Sequence, residues 1–199
     1  MKKRWIALGL ALFLSIVFVL PAKAILLSFE PASQIVPVGE PVSVDLVISG
    51  LEDYTAPSLG AFDLDIHFDP TILAFDSATF GDPVLGDQLD IWGLGLNPMG
   101  TIVPVPGVLD IWEVSLDTPD DLNNFQVGSF TLATLTFSTL TVGASSLEII
   151  INSLADAYGN PLSADAQSGV IAPVPEPATF ILIGFGLGGI GILRRRKII

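Results

Sequence analysis

The central part of this 199-residue sequence lacks cations. All eight Lys and Arg residues lie in the first 23 or the last six positions, so residues 25–175 contain none, yet they hold 20 of the 21 Asp and Glu residues. Such a segment cannot form salt bridges to Lys or Arg, and its self-repulsion must be neutralised by other cations. Nucleic acid and anionic lipid are therefore disfavoured as its partners, and divalent cations are favoured.

Cysteine is also absent, and the one histidine is His67. Without cysteine the chain has no disulfides, no zinc–thiolate site and no thiol catalysis. A Ser-His-Asp triad would have to recruit His67, and no Gly-x-Ser-x-Gly segment is present. No other side chain of the central segment offers a positive charge to an anionic transition state. These absences predict a protein that is not an enzyme.

The first 24 residues have the pattern of a signal peptide. Met1–Arg4 is basic, Trp5–Leu20 is apolar apart from one serine, and Ala22–Ala24 has the small-x-small form of a cleavage site. Cleavage there leaves Ile25 as the mature N-terminus. An uncleaved anchor is the alternative, against which the helix-breaking Pro21 argues.

A second apolar segment lies near the other end of the chain. Prolines at 173, 175 and 177 predict an extended collar over residues 173–179. Residues 178–193 carry no charge and would span about 24 Å as a helix. The four cations that follow, Arg194, Arg195, Arg196 and Lys197, form a basic stop on the cytoplasmic side. The pattern predicts a transmembrane helix and basic tail over residues 180–199.

Residues 174–199 resemble the PEP-CTERM sorting signal of bacterial exported proteins. The triplet is Pro175-Glu176-Pro177, and the apolar helix and the arginine cluster follow it in the order that the signal requires. The resemblance implies recognition by an exosortase, which removes the helix and delivers the protein to the cell surface or the exopolysaccharide matrix. A permanent tail anchor is the alternative.

The segment between the two apolar ends, residues 25–172, is dominated by alternation. Val42, Val44, Leu46 and Ile48 alternate with polar residues, as do Phe62, Leu64, Ile66 and Phe68 with Ala61, Asp63, Asp65 and His67, which is typical of strands with one buried face. Turn signals separate many such short segments, so we expect an all-β sandwich. Further strands are predicted at Ile25–Phe29, Gln34–Val38, Ile72–Phe75, Gln88–Trp92, Val108–Leu116, Ser129–Thr139, Ser146–Asn152 and Gly169–Ala172.

One short helix is predicted within this segment. Thr118 offers a capping hydroxyl, Pro119 suits the first helical position, and Asp120 and Asp121 place acids in the first turn. We expect one or two turns before Gly128.

Several motifs, in order, resemble the cohesin family and related carbohydrate-binding modules. They are Val38–Val44 as a strand entry, Phe62–Leu73 as an aromatic-Asp-Pro hairpin, Ser129–Phe137 as a core strand, and Asp156–Asn160 with Gly169–Ile171 as a closing hairpin. The resemblance implies a jelly-roll sandwich of about nine strands. The roles it implies are non-catalytic: binding of dockerin modules, or service as an adhesive surface module.

Calcium is the one cofactor that the acids suggest, because it takes six to eight oxygen ligands and tolerates irregular loops. Candidate ligands are Asp117, Asp120 and Asp121, or Asp156 with Asn160, or Asp82, Asp87 and Asp90. His67 with Asp63 and Asp65 is a further geometric possibility, since all three share one strand face. The alternative for each group is turn or capping chemistry, or a solvated strand face.

The tetrapeptide Leu-Asp-Ile-Trp occurs twice, ending at Trp92 and at Trp112. If both copies are strands, each Trp shares a face with an acid, and the pair forms a platform for sugar stacking; the alternative is that both pack into the sandwich. The loop predicted at Gly93–Gly107 has no charge and is either a covering flap or a binding surface.

The sequence therefore predicts an exported, surface-sorted β-sandwich that is adhesive or structural in the extracellular matrix. The alternative is a carbohydrate-binding module for an exopolysaccharide that uses Trp92 and Trp112, with calcium as a possible cofactor. The partners expected are the exosortase, the membrane before processing, and polysaccharide or surface proteins; nucleic acid is not expected.

Overall fold

The computed structural model describes residues 24–176, which form a two-sheet β-sandwich around one hydrophobic core. The predicted all-β sandwich is confirmed, with eleven strands in the described residues where about nine were expected. The predicted transmembrane helix and all but the last residue of the predicted signal peptide lie outside the described residues, and the domain boundaries stay predictions. The strands are β1 (Ile25–Glu30), β2 (Ser33–Pro37), β3 (Pro41–Ser49), β4 (Leu59–His67), β5 (Leu73–Phe80), β6 (Met99–Val105), β7 (Val108–Val114), β8 (Ser129–Thr139), β9 (Ser145–Asp156), β10 (Ala164–Ala166) and β11 (Gly169–Val174).

The chain crosses from one sheet to the other between β1 and β2. The five-stranded sheet has the order β10-β1-β3-β8-β5, and the six-stranded sheet has the order β2-β11-β9-β4-β7-β6. β1 pairs antiparallel with β3, whereas β2 pairs parallel with β11 in the other sheet. The last strand, β11, lies between β2 and β9 and pairs with both.

The apolar residues of the alternating strands meet between the sheets. Leu46 and Ile48 of β3 and Leu64 and Ile66 of β4 are fully buried, as alternation predicts. Phe137 of β8 is the aromatic centre of this core. Its ring packs edge-to-face against Phe68 at 5.3 Å and Phe75 at 5.8 Å between ring centroids.

The predicted helix is confirmed as α1 (Pro119–Phe125), with Thr118 as its N-cap. The strand predicted at Gln88–Trp92 is wrong, because these residues form successive turns in the long β5–β6 connection. The loop predicted at Gly93–Gly107 is partly wrong, since it contains the edge strand β6. That edge strand lacks alternating burial, because all of its residues are exposed or half-buried.

The connections between strands gather at two opposite ends of the sandwich. The exit end, where β11 finishes, is made of the short connections 38–40, 68–72, 106–107 and 140–144. The helix end is made of residues 50–58, 81–98, 115–128 and 157–163, and includes α1. The antiparallel register defines these ends, because the last residue of β4, His67, pairs with the first residue of β7, Val108, and with Glu148 near the start of β9.

Replacing Phe137 with Ala should cost about 3–5 kcal/mol of unfolding free energy, because a large cavity is left between two packed rings. Phe125→Ala is the matched control: Phe125 is exposed, and its loss should cost less than about 1 kcal/mol. Urea unfolding followed by fluorescence measures both. Equal losses would show that the core does not depend on Phe137.

Candidate functional site

A groove of 440 Å³ opens at the helix end between residues 85–93 and α1. We call it the aromatic groove, because Trp92 and Phe125 form one wall. Their rings meet edge-to-face with centroids 5.6 Å apart, yet 56% of Trp92 and 49% of Phe125 stay exposed. Two acids, Asp87 and Asp90, also line the groove. The exposed aromatic pair can stack on an apolar surface of a ligand. A carboxylate beside it can accept hydrogen bonds from the same ligand.

The loop that carries Trp92 is held by carboxylate–backbone hydrogen bonds. Asp90 accepts from the N–H of Leu94 at 2.9 Å and of Gly95 at 2.5 Å, and Asp117 accepts from the N–H of Ile91 at 2.6 Å. Charge-assisted bonds of this kind are among the stronger ones in proteins. They position Trp92 at the lip of the groove although its segment is not a strand.

Gln126, which follows α1, ties the groove to the core. Its side chain is buried; the amide nitrogen donates to the carbonyl oxygens of Leu59 and Gln88, and the amide oxygen accepts from the N–H of Leu59 at 2.6 Å. These bonds link α1 to β4 and to the 81–98 segment. Sequence reasoning missed Gln126, because nothing local distinguishes a buried glutamine from an exposed one.

Glu113 of β7 lies behind the groove and is fully buried. Its Oε1 accepts from the side-chain nitrogen of Asn97 at 3.0 Å, while its Oε2 is buried and accepts no hydrogen bond. Burial raises the pKa of Glu113 to about 8; the Asn97 bond opposes this rise, and the neighbouring Asp87 and Asp90 add to it. With a pKa of about 8, Glu113 is expected to hold a proton at neutral pH, which removes its repulsion by Asp87 and Asp90.

This arrangement predicts a pH-dependent stability. The folded state keeps a proton on Glu113 between its unfolded pKa of 4.5 and about 8, whereas the unfolded chain has lost that proton. The unfolding free energy should therefore fall as pH rises through this window, by at most about 1.4 kcal/mol per pH unit from this group. Glu113→Gln should flatten the dependence, as measured by urea unfolding at pH 5, 6.5 and 8.

The matched control for that measurement is Glu148→Gln, since Glu148 is exposed near the start of β9. It should retain the slope of the unmodified chain. If the Glu113→Gln variant retains that slope as well, the buried carboxyl is not the group that titrates.

The predicted calcium ligands engage backbone and side-chain partners at the helix end. Asp121 accepts from the Thr118 hydroxyl at 2.7 Å, and the Asn124 side chain donates to the Asp120 carbonyl. Asp156 accepts from the N–H groups of Tyr158 and Asn160. These are capping and turn contacts, the alternative considered above.

Within residues 24–176 no group of three or more His, Cys, Asp or Glu side chains is arranged to hold a metal ion. Calcium binding at these positions stays a prediction.

Trp112 and Trp92 contact different parts of the sandwich. It is half-buried on the outer face of the six-stranded sheet, where its ring covers Gly100 of β6 so closely that an added Cβ would lie 3.1 Å from it. Asp63 lies opposite it on β4. Trp92 instead takes Phe125 as its aromatic partner. Only the second Leu-Asp-Ile-Trp copy is in a strand, so the two Trp residues do not form one repeated platform.

The same sheet face holds the other acids predicted to share a surface with His67. Asp63 accepts from the Asn152 side chain at 3.1 Å. Asp110 of β7 has its pKa raised by burial and then by the charges of Asp63 and Asp65. This face is therefore a crowded acidic strip, with His67 exposed at its exit end.

The predicted sorting triplet begins one residue after the last strand. The Val174 carbonyl accepts from the N–H of Val38 at 2.9 Å, and the Pro173 carbonyl accepts from the N–H of Gly143 at 3.2 Å. Pro175 and Glu176 follow at once and are exposed, while Pro177 lies outside the described residues. No spacer separates the sandwich from the triplet.

Comparison with known proteins supports both parts of this description. Residues 173–197 match the model of the PEP-CTERM protein-sorting motif. The motif implies an exported protein that an exosortase processes. No protein of curated function matches the sequence at a significant level.

Solved cohesin structures share the fold. A type I cohesin–dockerin complex from Clostridium thermocellum, Coh-OlpA–Doc918, has a TM-score of 0.59 at 12% identity, covering 76% of this chain and 99% of that one. CaCohA2 from Clostridium acetobutylicum has a TM-score of 0.58 at 20% identity, covering 78% and 94%. A non-cellulosomal cohesin from Archaeoglobus fulgidus has a TM-score of 0.54 at 16% identity, covering 79% and 94%. The chain thus has the cohesin fold and a PEP-CTERM sorting motif.

No helix within residues 24–176 is long and apolar enough to cross a membrane. The predicted transmembrane helix lies beyond this range.

Proposed function

We propose that this protein is a non-catalytic adhesive module that is exported, processed by an exosortase and displayed at the cell surface or in the extracellular matrix. The observation that carries the proposal is the direct junction between the last strand of a cohesin-like sandwich and a matching sorting motif. The motif serves to sort the protein. The sandwich is therefore the part of the protein that is delivered and that acts at the destination.

A binding role for the cargo is supported by the helix end. Several large apolar side chains are exposed there among acids, and apolar patches of this kind are typical of interaction sites. They are Val84, Leu85, Trp92, Leu94, Leu96, Leu116 and Phe125. Several solved structures with this fold are cohesins in complex with dockerins, which favours a protein partner. That partner should be neutral or basic, because a second acidic copy would be repelled.

The sorting role predicts that the triplet is needed for processing. Replacing Pro175, Glu176 and Pro177 with Ala in the full chain should leave an uncut precursor in the membrane fraction, since the enzyme loses its recognition sequence. Immunoblots of membrane and surface fractions from the producing cell measure this. Pro83→Ala, in a turn at the helix end, is the control and should be processed normally; a processed triple variant would contradict the assignment.

A second candidate function is recognition of an exopolysaccharide in the aromatic groove. The exposed Trp92–Phe125 pair beside Asp87 specifically favours it. Aromatic rings stack on the apolar faces of sugars, and a carboxylate accepts hydrogen bonds from their hydroxyls.

This candidate predicts that Trp92→Ala weakens binding to the producing organism's exopolysaccharide about tenfold or more, the equivalent of about 1.4 kcal/mol. Co-sedimentation with the polysaccharide, in calcium and in chelator, measures binding. Trp112→Ala is the matched control and should bind normally, because its ring covers Gly100. Equal binding by the Trp92 variant would leave a protein as the partner of the groove, and retention only in calcium would show that cations bridge the acidic surface.

A further inference from the structure

The junction at Val174 fixes how the domain stands relative to the predicted membrane segment. Val174 is bound to Val38 and lies against Pro37 in the parallel β2–β11 pair. The charge-free segment begins at Ala178, four residues later. Four extended residues span at most about 14 Å. While the segment is in a bilayer, the exit end must therefore stay next to the lipid surface.

Two connections at this end present aliphatic side chains to solvent. We call them the exit loops: residues 103–107 of the β6–β7 hairpin and residues 140–144 between β8 and β9. Val105 is 55% exposed and Val142 is 58% exposed, and Val103 and Leu140 are exposed as well. Neither loop contains a charged residue. In a domain with 20 acids, this is an unusual composition for a surface.

Hydrogen bonds join the exit loops into one surface with the last strand. The Gly107 carbonyl accepts from the N–H of Phe68 at 2.8 Å. In the 68–72 connection, the Ile72 carbonyl accepts from the N–H of Leu140 at 2.8 Å. The N–H of Gly143 donates to the Pro173 carbonyl of the last strand. Val105, Val142 and Val174 are therefore held on the same end as the start of the sorting motif.

We propose that the exit loops contact the lipid bilayer in the anchored precursor, with Val105, Val142 and Leu140 entering the headgroup layer. The inference rests on the proposed function, because the anchor supplies the proximity. Aliphatic side chains without charge suit a lipid surface, and a tethered domain needs only weak contacts to stay docked. The aromatic groove then lies at the far end of the sandwich and faces away from the membrane.

The charge of the domain sets which lipids favour this contact. Glu40 and Asp69 lie on the exit end, and Glu176 follows it. Hydrogen bonds from the Thr71 hydroxyl and N–H lower the pKa of Asp69. An anionic surface repels these carboxylates, so docking should be strongest on zwitterionic lipid and should weaken as the anionic fraction rises.

The absence of cysteine makes the experiment direct. Single variants Val105→Cys and Val142→Cys of the full chain are labelled with the environment-sensitive fluorophore NBD and reconstituted in phosphatidylcholine vesicles that contain spin-labelled lipid. Val84→Cys, 89% exposed at the helix end, is the matched control. We expect quenching of the labels at 105 and 142 at least threefold above that at 84, decreasing as phosphatidylglycerol replaces phosphatidylcholine.

A label at Ile183→Cys, within the charge-free segment, separates the two proposals. If it is quenched while the labels at 105 and 142 behave like the label at 84, the anchor is supported and docking is overturned. The sorting enzyme would then be the remaining partner for the exit loops. If the label at 183 is not quenched, both the anchor and the docking are overturned. Val105→Ser should also reduce quenching at position 142, because it removes one of the docked side chains.

Discussion

Twenty carboxylates must be accommodated within residues 25–175 without one Lys or Arg side chain. Several of these carboxylates accept hydrogen bonds from backbone N–H groups. Asp82 accepts from Val84, Leu85 and Thr131. Burial raises its pKa, but these bonds outweigh burial and leave it lowered. Asp156 follows the same pattern at the end of β9. Backbone N–H groups in turns therefore donate to these carboxylates where other proteins would use Lys or Arg. The stability of the domain comes from its hydrophobic core and not from salt bridges.

The helix end shows where this solution reaches its limit. Asp90 and Asp117 are satisfied by backbone donors, but Glu113 and Asp87 face one another with no donor available to Glu113 Oε2. A proton on Glu113 resolves the conflict. Several acidic side chains thus lie close together behind Trp92, and two of them, Asp87 and Asp90, line the aromatic groove. A ligand that enters the groove meets an aromatic wall with carboxylates beside it.

The two ends of the sandwich fit different tasks. At the exit end the chain passes from β11 into the sorting motif without a spacer, and the exit loops are free of charge. At the helix end the exposed aromatic and aliphatic residues lie among acids. Since the strands run the length of the sandwich, the fold itself separates the two surfaces. In the anchored precursor that we propose, the aromatic groove faces away from the membrane.

Much of the fold could be read from the sequence, because strand alternation, helix capping and the sorting triplet are local patterns. Ser129–Thr139 was predicted with its bounds, and Thr118 with its capping role. The edge strand β6 could not be predicted, because neither of its faces is buried and its sequence therefore carries no alternation.

The candidate site divides in the same way. The sequence by itself determined the charge of the domain, its sandwich fold and its sorting motif, since each depends on residue type and spacing. Only the tertiary structure decided that Trp92 joins Phe125 instead of Trp112, that Glu113 is buried behind Asp87, and that the exit loops lie beside Val174. The physical reason is that these residues are far apart in the chain, and the packing of two sheets and one short helix brings them together.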